Sequence, residues 1–217
     1  MAHQAALDDL LTQSITVLLD KRVITLNRIA QDGTKIRASA GVRSFKRGER
    51  LRACRQMARQ QVARTQAEAD GVAPARRAAA QRRVAAEQLA RVEGAVAQLP
   101  EVEATKARHR SRSAAKVSVT DPDARVMKLM DGGFRPAYNV QFATDVDSHA
   151  IVGVAVTNEG ADGRQWPPML EQVVTRTGRA PGAVLADGGY VSLAAIDAAA
   201  RGSTRRELEW RGRSRPD

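Results

Sequence analysis

The chain has 217 residues, of which 43% are hydrophobic and 3% aromatic, and carries a net charge of +11 at neutral pH. That length supports one good-sized core, or a core with a small second unit, and the hydrophobic share excludes wholesale disorder. The lone Cys54 excludes an internal disulfide and a cysteine zinc site, His3, His109 and His149 lack ligand spacing, and a polar start without any long apolar run points to a cytoplasmic protein with no membrane partner.

Residues 6–19 read as a helix, with Leu7, Leu10, Leu11, Ile15 and Leu18 forming an apolar stripe. The apolar run 23–31 closes at Asp32. On local evidence Asp32-Gly33 is a type I′ hairpin turn, returning through residues 35–38. A helical hairpin follows. Its first arm carries Leu51, Cys54, Ala58 and Val62 on one face, and the break falls at Asp70-Gly71-Val72-Ala73-Pro74. In the second arm Ala85, Leu89, Val92, Val96 and Leu99 step four-three-four-three, the spacing of a coiled-coil seam, and Pro100 is expected to end the arm.

Residues 108–120 are polar and basic and read as a connector, and a loop is expected over 131–136. Residues 138–142 alternate apolar with polar, as a half-buried strand should. A turn over 145–148 and a β-branched strand over 150–156 come next, so Asp145 and Asp147 read as turn residues rather than metal ligands. Residues 163–177 form a helix closed by Gly178, with Pro167 tolerated in its first turn. A strand ending at Ala186 and a helix over 192–200 complete an α/β layout with a mixed sheet.

Two aspartates stand out against this pattern. Asp187 follows the run 183–186 and opens Gly188-Gly189-Tyr190, at the carboxyl end of a strand, where open α/β sheets place their ligands. Asp32 occupies a similar place much earlier in the chain. Each reads locally either as a turn residue or as a functional group. Brought together, two such carboxylates would bind hard cations through oxygen and serve phosphoryl transfer.

The charge is also localised. Residues 43–116 carry 18 Lys plus Arg against 7 Asp plus Glu, whereas the remainder carries 17 of each sign. A basic segment attached to a neutral domain is the electrostatic footprint of a nucleic-acid partner, although a solvated helix face would leave the same trace.

Several ordered blocks resemble DDE insertion-sequence transposases of the IS-four-like type. They are Asp32-Gly33-Thr34-Lys35-Ile36-Arg37-Ala38-Ser39-Ala40, then residues 120–127, then Gly132-Gly133-Phe134-Arg135-Pro136-Ala137-Tyr138-Asn139-Val140-Gln141, then Val156-Thr157-Asn158, then Ala186-Asp187-Gly188-Gly189-Tyr190. The resemblance covers residues 7–200. It implies a ribonuclease-H-like mixed sheet with an inserted basic helical hairpin and a core incomplete at the C-terminus. Asp32 and Asp187 fall on the first and second acidic motifs, which displaces the hairpin-turn reading of Asp32. The implied cofactor is Mg2+ or Mn2+ in a two-metal site, and the implied activity is metal-dependent DNA cleavage and strand transfer by a bacterial insertion sequence.

The implied partners are transposon ends and target DNA, with a homo-oligomer or pairing with full-length transposase, and a location at the nucleoid when DNA is bound. Lys35, Arg37, Arg43, Lys46 and Arg47 are candidate phosphate contacts, or else ordinary exposed cations. The expected organisation is 1–42 for the first helix and catalytic strand, 43–116 for the hairpin, 117–200 for the rest of the core, and 201–217 for an Arg-rich tail. Family members carry a helical DNA-binding region before the first strand and a third carboxylate, a Glu, after the second aspartate. Only one helix precedes Asp32 here, and the tail has six arginines but lacks the expected strand. Glu207 and Glu209 stand too close to Asp187 to fill the third position. The expectation is a form truncated at both ends and inactive alone, with a tail from truncation or a shifted frame. The alternative is a non-catalytic DNA-binding or transposase-inhibiting remnant.

Overall fold

The computed structural model describes residues 3–67 and 75–190. In chain order its elements are α1 (Gln4–Asp20), β1 (Arg28–Arg37), a 3-10 turn (Val42–Ser44), β2 (Phe45–Lys46), α2 (Gly48–Ala67), α3 (Ala75–Arg108), β3 (Val117–Ser118), β4 (Arg125–Lys128), β5 (Phe134–Asp145), β6 (Ile151–Thr157), α4 (Trp166–Thr177) and β7 (Ala183–Ala186). They divide into two compact units, one from Met1–Ile36 with Asn139–Asp217 and the other from Arg37–Tyr138.

The first unit is built on strands in the order β6-β5-β1-β7. β5 and β6 are antiparallel, from Asn139 opposite Thr157 to Thr144 opposite Ile151, with a bulge at Ala143 and Thr144. β1 and β7 are parallel. A mixed sheet with packed helices agrees with the expected α/β, ribonuclease-H-like class. Ile29, Ala143, Val152 and Val184 bury one face of the sheet with Ile15 of α1 and Trp166, Met169 and Val173 of α4. α4 starts with proline in its first turn, where the missing N–H costs nothing. It ends at Gly178, whose φ of 66° lets its N–H reach the Val174 carbonyl at 2.8 Å.

Four expectations for this unit need correction. Asp32-Gly33 is not a turn: β1 continues to Arg37, because β5 runs alongside its whole length, from Val146 N–H on the Arg28 carbonyl to Ala38 N–H on the Pro136 carbonyl, and overrides the local turn propensity. β5 already begins at Phe134, inside the expected loop over 131–136. The alternating segment 138–142 is not half-buried either. Asn139 and Gln141 are fully buried and Val140 is buried, while Tyr138 and Phe142 are only half-buried, so the polar face is the more covered one. In α1, Leu7 and Leu10 are exposed, and Leu11, Ile15, Leu18 and Leu19 make the packed face. The buried Arg176 of α4 occupies the start of α1 instead, donating to the Asp8 carbonyl at 3.2 Å and to Thr12 Oγ1 at 2.9 Å, and pairing with the Asp8 carboxylate.

The turn after β5 agrees with the sequence reading. Asp145 is fully buried and accepts from Leu26 N–H at 3.0 Å, Ser148 N–H at 3.0 Å and Ser148 Oγ at 2.7 Å. Asp147 accepts from Thr25 Oγ1 at 3.1 Å and lies 3.5 Å from Arg28 Nη2.

In the second unit, α2 and α3 form the expected hairpin. Leu51, Ala58 and Thr65 are buried on α2, while Ala78, Ala85, Val92 and Leu99 recur every seventh residue on α3. The base of the hairpin packs Leu51, Ala95, Leu99 and Val102 on Val117 of β3. α3 passes through Pro100 rather than ending there. Proline removes the hydrogen bond to the Val96 carbonyl, a loss of about 3 kcal/mol in a helix interior. The buried Leu99 and Val102 on either side hold the helix in register despite it. β2 and β3 pair as a short antiparallel ribbon, and β4 pairs with residues 134–137 of β5.

Among the described residues no helix is long and apolar enough to cross a membrane. The expected break at 70–74, the helix over 192–200, Glu207, Glu209 and the tail 201–217 lie outside the described residues.

Burial alone would push the Asp145 carboxyl upward, but the hydrogen bonds from Ser148, Leu26 and Thr25 outweigh it and hold it below its ordinary value of 3.8. A depressed carboxyl stabilises the fold above its unfolded value, and that contribution is lost as the pH falls through its folded value. Asp145→Asn should therefore lower stability by about 1–3 kcal/mol at pH 7. In urea unfolding the gap to wild type should narrow once the pH drops below the Asp145 range; a gap that is constant with pH would show that the carboxylate charge is not what matters.

Candidate active site

Parallel pairing of β1 with β7 sets the geometry. Arg28, Ile29, Ala30 and Gln31 lie opposite Ala183, Val184, Leu185 and Ala186. The next step of that register is Asp32 beside Asp187. Adjacent strands lie about 4.8 Å apart, and continuing the register by one residue brings the two backbones to neighbouring positions. Both residues are exposed. Asp32 differs from the sequence reading in lying inside a strand rather than at its end, whereas Asp187 directly follows β7.

Local backbone groups orient both side chains. Asp32 Oδ1 accepts from the N–H of Gly33 at 2.7 Å, and Asp187 Oδ1 accepts from the N–H of Gly189 at 2.8 Å. Tyr190 N–H closes the same turn by donating to the Asp187 carbonyl at 3.1 Å. Each carboxylate thus commits one oxygen to a backbone N–H close by in the chain and keeps a second. Carboxylate oxygens suit Mg2+ or Mn2+, which characteristically take one or two carboxylates and complete their shells with water and phosphate oxygens. Among the described residues no group of three or more His, Cys, Asp or Glu is arranged to hold a metal ion.

Beneath the pair runs a buried polar ladder that the sequence reading did not single out. Gln31 Nε2 donates to Gln141 Oε1 at 3.2 Å and to the Gln165 carbonyl at 3.1 Å. Tyr190 Oη donates to the same Gln141 Oε1 at 2.6 Å. Gln141 Nε2 donates to Asn139 Oδ1 at 3.0 Å and to Asp162 Oδ1 at 2.9 Å, and Asn139 Nδ2 donates to Asp162 Oδ1 at 2.7 Å. Gln31, Asn139, Gln141 and Tyr190 are all buried. Burial pushes the Tyr190 hydroxyl well above its ordinary range, and the charges of Asp162, Asp32 and Asp187 add to that. One phenol therefore lies within the field of three carboxylates. The available signal was the glutamine and asparagine in a strand flanked by apolar residues, which alternation alone reads as a solvent face.

The candidate phosphate contacts are divided between the two units. Lys35 belongs to the first unit and is half-buried on β1. Arg37, Arg43, Lys46 and Arg47 belong to the second. Arg37 Nη2 lies 3.8 Å from Asp131 Oδ2, an exposed pair. Arg43 is in the 3-10 turn, Lys46 is half-buried in β2, and Arg47 is exposed just before α2. On the helical hairpin the buried seam leaves Arg52, Arg64, Arg76, Arg77, Arg82 and Arg91 exposed.

Residues 114–215 match the family model described as Transposase DDE domain. The match includes Asp187 and most of the segment after Ala200, and begins beyond Asp32 and the two helices. No curated protein matches the chain.

Gly33 is the point where β1 and the ladder come closest. A Cβ there would stand 2.2 Å from Gln141 Nε2 and 3.0 Å from Asn139 Oδ1. Gly33→Ala should displace the Gln141 amide and lower stability by about 1–3 kcal/mol, as overpacking does. Thermal unfolding measures it, and a wild-type midpoint would mean that Gln141 is not held where the ladder requires.

Proposed function

From a chain that carries a DDE-type transposase domain over residues 114–215, we propose that Asp32 and Asp187 form the cation-binding pair of a DNA phosphoryl-transfer site acting in transposition. The observation that carries the reading is the β1–β7 register, whose next step is the two aspartates. Mg2+ or Mn2+ held there would lower the pKa of an attacking water or hydroxyl and offset charge on the phosphodiester. The protein's own contribution is orientation. Gly33 and Gly189 N–H groups each fix one carboxylate oxygen. Two neighbouring carboxylates repel, so the pair favours a divalent cation over an empty state.

Affinity for DNA is assigned to the second unit. The charge excess lies in residues 43–116, and the packing seam of α2 and α3 leaves most arginines outside the helix contact. Exposed guanidinium groups on two helices suit the sequence-independent recognition of backbone phosphates. Arg59 and Arg83 are partly neutralised by Glu93 and Glu87 and contribute less.

A second reading has its own support. In that reading the chain binds DNA and cation but does not cleave, and the basic segment 43–116 supports it, since exposed cations hold DNA whether or not the aspartates are catalytic. Calorimetric titration with Mn2+ tests the pair: Asp32→Asn and Asp187→Asn should each weaken binding by about tenfold or more, and equal binding by all three proteins rejects the site. A supercoiled plasmid incubated with the chain and Mn2+ separates the readings. Nicking by wild type that disappears in Asp32→Asn supports catalysis, and cation binding without nicking supports the second reading.

The arms are tested on a short DNA duplex by fluorescence anisotropy. Affinity should fall steeply between about 50 and 200 mM salt, and replacing Arg76, Arg77 and Arg82 with Ala should reduce the log–log slope by about one for each phosphate that is no longer neutralised. An unchanged slope removes these arginines from the interface.

A further inference from the structure

The buried ladder has a polarity, and its origin is Asp162. An ionised carboxylate only accepts hydrogen bonds, so the two amide groups that face Asp162 Oδ1 must present nitrogen. Asn139 Nδ2 and Gln141 Nε2 do so, at 2.7 and 2.9 Å. With its nitrogen so committed, Gln141 must turn Oε1 the other way. That oxygen then receives Gln31 Nε2 and Tyr190 Oη. Every donor along the line has one solution, set from the Asp162 end.

Tyr190 is the last residue of the turn that opens with Asp187. Between them stand only Gly188 and Gly189, the two residues least able to hold a conformation by themselves. β7 anchors the turn on one side through its pairing with β1. On the other side the anchor is Tyr190, with its ring in the apolar core and its hydroxyl on Gln141. The same loop as Asp162 also passes close to the turn: a Cβ at Gly163 would stand 3.3 Å from the Gly189 carbonyl oxygen. The loop carrying Asp162 thus passes close beside the Asp187 turn and is joined to it through the ladder.

We propose that Asp162 is a positioning residue, which through Gln141 and Tyr190 fixes the turn that holds Asp187 beside Asp32. The inference rests on the reading of Asp32 and Asp187 as the cation pair. Asp162 is not assigned as a ligand: no three-carboxylate metal group exists among the described residues, and its Oδ1 already accepts from two buried amides. Its role is to hold the second ligand in place, as hydrogen-bonded partners do behind many metal ligands.

Two variants isolate the role. Asp162→Asn keeps the side-chain shape but ends the acceptor-only character, and Tyr190→Phe removes one hydroxyl and leaves the buried ring. Without added metal, backbone amide exchange at Gly189 and Tyr190 should quicken by about tenfold in both, while amides of α4 stay within about twofold of wild type. Mn2+ titration of the same proteins should show affinity weakened by about tenfold, in the range found for groups behind metal ligands. Asp32→Asn should abolish the Mn2+ response yet leave exchange at Gly189 and Tyr190 unchanged.

The outcomes separate cleanly. Wild-type exchange in both variants overturns the proposal, as does acceleration spread equally over α4, which would be general destabilisation. Weaker Mn2+ binding by Asp162→Asn with unchanged exchange would make Asp162 a ligand and also overturns it. Local acceleration with undiminished Mn2+ affinity overturns the link to the site. If Asp32→Asn binds Mn2+ like wild type, the cation-pair reading has failed and the proposal falls with it, whatever the exchange results. Should Asp162→Asn not fold, Tyr190→Phe decides by the same criteria.

Discussion

The parallel pairing of β1 with β7 is the constraint on which the candidate site depends, because it alone joins residues 155 positions apart in the chain at neighbouring points of one sheet. A parallel pair cannot be closed by a tight turn, so everything between the two strands must be accommodated by the intervening fold. The second unit occupies Arg37–Tyr138 and thus lies wholly within that connection. A one-residue slip of β7 would turn Val184 and the other core-facing residue of β7 out of the core, so the apolar face polices the register. Asp32 and Asp187 gain their adjacency from side chains that have no chemistry of their own.

The polar ladder adds a second constraint. Burying Gln31, Asn139 and Gln141 would cost several kcal/mol if their amides were left unpaired, and the ladder avoids this by giving each amide group a partner. Such networks tolerate few substitutions because each member fixes the orientation of the next. Gly33 belongs to the same logic: its missing side chain is the space that Gln141 fills. Asp32 and Gly33 therefore serve opposite sides of the strand, one exposed and charged, the other making room for the amides beneath.

Much of the fold was legible from the sequence where apolar periodicity spoke for one side of an element. The seam of α2 and α3, the β-branched β6 and the glycine-terminated α4 are of that kind. Legibility failed where tertiary pairing overrode a local signal. Asp32-Gly33 carries a strong turn preference that pairing with β5 suppresses, and Pro100 carries a strong stop signal that the packing of Leu99 and Val102 suppresses. It failed for the ladder because a buried Gln141 and an exposed one look the same to a period-two pattern. The aspartates were readable as candidates because each sits beside glycine after an apolar run. Their adjacency was not readable from local pattern, since register is a property of two distant segments.

The proposed chemistry also explains why charge is divided so unevenly along the chain. An acidic pair repels the phosphodiester on which it would act, and a neutral catalytic unit offers no long-range attraction to compensate. Residues outside 43–116 carry equal numbers of each sign, so that unit cannot draw DNA to itself. The excess of positive charge sits instead on helices whose buried seam is made of Ala, Val and Leu, leaving the polar faces free for arginine. Small seam residues let the arms be long without a large core, which suits a chain with so few aromatics. Binding and catalysis then make separate demands on sequence: the arms tolerate any arrangement of exposed cations that keeps the heptad, whereas the site tolerates almost no change in the register or the ladder that supports it.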